Sequence, residues 1–431
     1  MENIAEKTKS IRFRNQDHKE NDFIYRLRKE SWYKYNQSYL PSRVQNLWRY
    51  SNPESFLIES HAELIDFIPP RTDYSEQETN GFLKEYSAYG YNRADYMTFA
   101  ALDPQLIEKG VIFKDLFTAA LENEDILSRY LGQLVGSRFG KFEALNGALW
   151  NSGLFLYVPD NVVIDKPIRL QRHPSGPRTI LRLLVVAGKN SELTLIDDYS
   201  GKCRNEESLL NAVTEIYLDD YARMNYHNVQ RLADNCKSHI TQRSLVNNNA
   251  AMNIVFAALG GKYSKSNLGA VLNGHNAESR LSGIVFGNSD QHFDTHTMHR
   301  HQVGDSSSDI NLKVVLNNEA VSAYTGLIEI EQDAPNSEAF QENRNLLLSE
   351  KARAESIPEL EIKCDEVRCS HGATMGPIDP EMLFYLKSRG FSEEIATRTI
   401  ISGFLDTTLI DLPTEMHDIV QDLIDKKLKN G

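Results

Sequence analysis

This sequence is short of cysteine, of long apolar runs and of positive charge, and each shortage excludes a class of protein. Four cysteines, at 203, 236, 364 and 369, are spread over 431 residues. That is no disulfide framework. Free thiols persist in a reducing compartment, so a cytoplasmic location is expected. The most apolar stretches, residues 183–187 and 254–260, fall far below the roughly 18–20 residues that span a bilayer. The opening MENIAEKTKS is charged and has no apolar core, so no secretory signal is expected. Lys and Arg number 47 against 60 Asp and Glu, a formal charge of −13. With no dense Lys/Arg run, this balance argues against DNA, RNA and anionic membranes as partners.

Nucleotide machinery is missing as well. No G-x-x-x-x-G-K-[ST] loop occurs, and Gly260-Gly261-Lys262 lacks its spacing, so no intrinsic ATP site is expected. Neither a G-x-G-x-x-G fingerprint nor a G-x-S-x-G nucleophile elbow stands out.

What is present falls into three textures. Residues 1–150 read as a helical and mixed N-terminal domain, with helices over 23–39, 116–130 and 141–150. From Gly153 the chain turns to short β-type runs, such as TILRLLVVAG, AAMNIVFAALGG and INLKVVLNN. Asn, Asp, Gly and Ser separate them, and no helix recurs between them. This pattern suits a sandwich, a barrel or a β-helix, in which stacked coils bury a continuous core. Asn247–Asn249 reads as either a side-chain ladder or a turn cluster. Residues 336–355 read as a charged connection with partial helix, before strand alternation resumes. From Asp379 the chain is helical again. Asp379-Pro380 starts one helix and Gly390 stops it; Ser392 caps the next, and Pro413 precedes the last. The expected division is 1–150, 151–376 and 377–431.

Candidate chemistry is sparse. Asp197, Asp198, Asp219 and Asp220 suit catalysis in a groove in principle, and equally suit ordinary turns. QHFDTHTMHRHQVGD holds His292, His296, His299 and His301. His299 and His301 share one face of a strand, and with Asp294 they suit a divalent metal or, more plainly, solvent or an interface. Cys369 and His371 also share a face, a thiolate and an imidazole suited to iron or sulfur. Cys364 falls on the opposite face of a regular strand, and a lone Cys-x-His is weak by itself.

Those last residues carry a family resemblance. DEVRCSHGATMGPIDPEMLFYLKSRG (365–390), FEALNGALWNSGLFLYVPDNVVIDKPI (142–168) and the run over 320–374 resemble the SufB/SufD family of iron–sulfur cluster assembly proteins. The resemblance covers roughly residues 140–412, and more weakly the helical region before it. It implies a mainly β fold: a right-handed parallel β-helix flanked by N-terminal and C-terminal helical domains. CSHGAT (369–374) is similar to the form in the SufD branch. The SufB branch tends to carry Glu where this chain has Gly372, and an upstream cysteine tied to cluster building. The resemblance further implies a non-enzymatic scaffold subunit of a SufBCD complex, pairing with a SufB-like subunit. Its helices at 377–431 would dock a SufC-like ATPase, with Phe404 and Leu405 as candidate anchors. A transient iron–sulfur cluster would form at the SufB interface, with His371, and then Cys369, as the metal-binding residues contributed by this chain. The alternatives are a homodimeric scaffold acting without SufB, a β-helix carbohydrate-active enzyme and a purely structural adaptor.

Overall fold

The computed structural model describes residues 21–57, 76–93, 96–174, 177–201, 207–410 and 412–429. Cys203 lies outside them.

The first strands are β1 (Ala88–Arg93), β2 (Tyr96–Leu102), β3 (Ile112–Asp115), β4 (Ser152–Val158), β5 (Ile168–His173), β6 (Arg178–Ala187), β7 (Glu192–Ser200), β8 (Ser208–Leu218) and β9 (Arg223–Arg231). There follow β10 (Cys236–Val246), β11 (Ala251–Ala258), β12 (Tyr263–Leu272), β13 (Glu278–Gly287), β14 (His292–His301), β15 (Ser307–Leu316), β16 (Val321–Ile330), β17 (Glu338–Leu347), β18 (Arg353–Ile362) and β19 (Arg368–Gly376). From β4 onward successive strands alternate between two sheets. Odd strands stack from β5 to β19, and even strands from β4 to β18. All of these pairings are parallel; β1–β2 and β3–β4 are the antiparallel ones at the N-terminal end. The result is a β-solenoid of eight two-stranded coils. Ala251 stacks on Glu278, Glu278 on Ser307, Ser307 on Glu338 and Glu338 on Arg368, a repeat of 27 to 31 residues.

The corners show why asparagine is so frequent. Between even and odd strands stand Asn161, Asn190, Tyr221, Asn249, Asn276, Asp305 and Asn336, with φ between 54° and 63°. Asn and Asp tolerate this left-handed conformation better than other L-residues. Their side chains also stack. Asn276 Nδ2 donates to Asn249 Oδ1 (3.2 Å), and Asn336 Nδ2 to Asp305 Oδ1 (3.0 Å). Asn247–Asn249 is therefore both turn and ladder.

Two helical layers cover the outer faces. Helices α1 (Asp22–Gln37) and, past intervening elements, Lys141–Leu149 pack on the even sheet, where Ile24, Tyr35, Trp48 and Phe142 join Phe155, Leu184 and Tyr217. The expected helix over 116–130 is two helices, Leu116–Glu122 and Glu124–Tyr130, broken at Asn123. The C-terminal helices lie over the odd sheet. Pro380–Ser388 is capped by Asp379, and Glu393–Leu409 by Ser392, as expected; Thr414–Lys429 follows Pro413. Ile401, Leu405, Met416, Val420 and Ile424 pack on Ile196, Val229, Val255, Ile284 and Phe286. Strands β11 and β13 are thus buried on both faces, which explains unbroken runs such as IVFAA and GIVFG.

Residues 336–355 differ from the expectation. They form β17, a corner and the start of β18, not a partly helical connection. Their polar residues misled because Gln341, Asn343 and Asn345 point into the solenoid, where apolar side chains are expected.

Candidate functional site

The last coil is bare. β19 pairs with β17 and β18 with β16, and among the described residues no strand lies beyond either. Inward positions on β17 are Ala339, Gln341, Asn343 and Asn345, all buried. Directly above them in register stand Cys369, His371, Ala373 and Met375. Cys369 is half-buried and packs against the main core, while His371 is exposed. Strand parity puts His371 on the same inward face as Cys369. It is solvated because the solenoid ends there. Across the mouth, β18 presents Ser356, Pro358 and Leu360 above Tyr324, Gly326 and Ile328.

Burial raises the Cys369 thiol above its ordinary value. It therefore stays a neutral thiol near pH 7 until a metal displaces its proton. Below the mouth the interior is polar: Thr297 Oγ1 and the Tyr324 hydroxyl lie 2.8 Å apart, and Asn345 Nδ2 donates to Asn343 Oδ1 at 2.8 Å. Burial pushes the Tyr324 phenol far up, so it stays a neutral hydrogen-bonding group. Thiol and imidazole are suitable ligands for a soft or borderline metal such as iron. The described residues contain no group of three or more His, Cys, Asp or Glu able to hold a metal.

Of the other sequence candidates, the structure brings His296 Nε2 within 2.8 Å of Asp294 Oδ1 and keeps the rest apart from one another as ligands. Cys364 lies in the corner before β19, packed against the same core as Cys369, and both thiols are free. His299 and His301 share a face, but it is the solenoid interior. His301 lies 2.8 Å from both Ser306 Oγ and Ser308 Oγ, and His299 Nε2 lies 3.2 Å from Ser279 Oγ. Asp294 points to the opposite face and pairs with Lys265 (2.9 Å), so it does not join them. Asp197 and Asp198 are in β7, not a turn. Both are fully buried; Asp197 pairs with Arg172 (2.6 Å), and Asp198 with Arg169 (3.1 Å) and Arg231 (2.8 Å). They are structural ion pairs.

In the C-terminal layer, Leu405 is fully buried against the odd sheet, so it is not an anchor for another protein. Phe404 packs on the same core, and Lys313 Nζ donates to its carbonyl (2.5 Å). The helix Pro380–Ser388 is different. None of its residues is buried, and Met382, Phe384 and Tyr385 are exposed, as are Phe391 and Ile395 beyond it. Sequence reasoning placed Met382 and Tyr385 on the apolar face of this helix, and missed Phe384, Phe391, Ile395 and the floor residues Gln341 and Tyr324. The signal for Gln341 was the coil repeat, which places it one coil before His371.

Comparison with known proteins accords with this architecture. Residues 171–404 match the SufBD core domain of the SUF system for FeS cluster assembly, and residues 12–170 match the SufBD N-terminal region. An iron–sulfur cluster assembly SufBD family protein of Staphylococcus epidermidis is 31% identical over 316 residues, 73% of this chain and 68% of that protein. Relatives of the same description from Staphylococcus haemolyticus and Staphylococcus aureus match to the same extent. No described helix is long and apolar enough to cross a membrane. The chain, a β-solenoid whose last coil carries a thiol and an imidazole at an open mouth, belongs to the SufBD family of iron–sulfur cluster assembly proteins.

Proposed function

We propose that this chain is a SufD-type scaffold subunit without turnover of its own, which pairs through its last coil with a SufB-like subunit and binds a SufC-like ATPase. The observation that carries the reading is the open mouth. A terminal solenoid coil ordinarily needs a cap, and the outer edges of β18 and β19 present unpaired backbone groups that another chain can pair. His371 and Cys369 lie at that edge and supply two ligands, fewer than an iron–sulfur cluster takes. The partner supplies the rest, and the cluster is cargo built at the junction. The SufD-type reading rests on Gly372, where a Cβ meets nothing within 4 Å. The acid expected there in the SufB branch has room but is missing.

The ATPase docks on the exposed helix Pro380–Ser388, which holds Met382 and Tyr385 on one side and Phe384 on the other. Its nucleotide cycle then pulls on a module joined to β19 by a short link. The decisive experiment is anaerobic cluster reconstitution in the complex with SufB-like and SufC-like subunits, comparing wild type with His371→Ala. Loss of iron and acid-labile sulfide with the complex intact supports the reading; normal cluster yield makes this chain a structural partner only. Sedimentation of the isolated chain reads out whether the same edge pairs two copies.

A further inference from the structure

One coil beneath His371 stands Gln341, its direct register partner across β17 and β19. Parallel strands lie about 4.8 Å apart, a distance that an amide and an imidazole close by turning toward each other. Gln341 is 4% exposed, and its Oε1 is buried without a hydrogen-bond partner. An orphaned acceptor of this kind is costly, and native proteins pair nearly all of them. The amide is confined from the opposite sheet. A Cβ at Gly326 would stand 2.4 Å from Gln341 Nε2 and 2.2 Å from the Tyr324 hydroxyl. Gly326 therefore leaves the room that these two polar ends fill, and Tyr324 is itself held at Thr297. Above the amide, the inward groups of β19 are Cys369, His371 and Ala373. Of these the imidazole is the strong N–H donor.

The geometry points to Gln341 as the positioning residue for His371. Its Oε1 accepts a hydrogen bond from one ring N–H, fixes the tautomer and ring direction, and leaves the other ring nitrogen free for iron of the cargo. The inference rests on the reading of His371 as a ligand. Ligating histidines generally donate their second N–H to a carbonyl, carboxylate or water, and loss of that acceptor costs about 10- to 100-fold in metal affinity. The hydroxyl of Ser356, inward on β18 and also unpartnered, is the competing donor to Gln341.

The test uses the full chain labelled with [15N]histidine, with His371→Ala assigning the signal. In wild type the two imidazole nitrogens of His371 report a single tautomer; Gln341→Leu mixes the tautomers and Gln341→Glu, which keeps an acceptor, restores the bias. Ser356→Ala leaves the shifts unchanged. Identical shifts in wild type and Gln341→Leu overturn the inference, as does a shift produced by Ser356→Ala instead. If Gln341→Leu does not fold, Gln341→Asn, too short to reach, takes its place. In the assembled complex, Gln341→Leu weakens iron retention by about 10- to 100-fold, with no further loss in the His371→Ala background. An equal loss in that background overturns the inference, because Gln341 then acts elsewhere. Normal cluster formation by His371→Ala overturns the ligand reading instead, and the imidazole shifts tell the two failures apart.

Discussion

Leu405 and Phe384 stand in neighbouring helices of the C-terminal layer, and truncating each has a different consequence. Leu405 is 0% exposed, between its helix and the odd sheet; Phe384 is 73% exposed. Leu405→Ala removes three buried carbons, about 2.4 kcal/mol at about 0.8 per methylene. The cavity left behind brings the total to about 3–4 kcal/mol. The layer opens as a local unit, so the loss falls on its opening equilibrium. At about 1.4 kcal/mol per decade, amide exchange over Glu393–Leu409 accelerates by about 100- to 1000-fold. Hydrogen-exchange mass spectrometry reads this directly and needs no two-state unfolding of a 431-residue chain. Phe384→Ala leaves exchange unchanged and stability within about 0.5 kcal/mol. Phe384 is the most exposed aromatic of the proposed docking helix, and its truncation weakens binding of the SufC-like ATPase by about 30-fold, a loss of about 2 kcal/mol. Isothermal titration with that subunit measures it. Unchanged exchange in Leu405→Ala, with a larger loss of ATPase binding than in Phe384→Ala, refutes the assignment of the two faces.

Further predictions concern titration and corners. Burial holds His227, His239 and His301 down to about 4 and His299 to about 3. These rings stay neutral in the folded chain while the unfolded chain binds protons below about pH 6.5. Their stabilising contribution is complete above that pH and is lost as pH falls toward 4. Four such groups give a slope of about 5 kcal/mol per pH unit near pH 5, and urea unfolding that is flat between pH 6 and 5 contradicts this. Tyr221 holds a left-handed corner where most coils use Asn, and it is 57% exposed. Tyr221→Asn raises stability by about 1 kcal/mol, read as a higher urea midpoint; a lower one refutes the corner argument. The Cys369 thiol, raised by burial, alkylates slowly at pH 7 and faster above pH 9, while Cys236, pushed up to about 11, labels only on unfolding. Iodoacetamide labelling followed by mass spectrometry checks both, and labelling of Cys369 at the free-cysteine rate at pH 7 sinks the reading.

Much of this was legible in the chain. Asn and Asp at regular spacing marked the corners, because only a few residue types accept φ near +55°. Asp379-Pro380 and Ser392 marked helix starts, because their oxygens cap free backbone N–H groups. Cys369 and His371 shared a face because strand parity is local. The strands of 336–355 were not legible, since their inward Asn343 and Asn345 are stabilised by donating to carbonyls of other coils, those of Leu312 and Thr374.

By itself, the sequence determined the alternation of short strands and turns, the capped helical tail and the pairing of one thiol with one imidazole. Each depends on residues within a few positions of one another. Tertiary structure decided which sheet each strand joins, that Leu405 faces inward while Phe384 faces out, and that His371 sits over Gln341 at an open end. Those follow from stacking at a repeat of 27 to 31 residues, a separation over which only the packed solenoid brings side chains together.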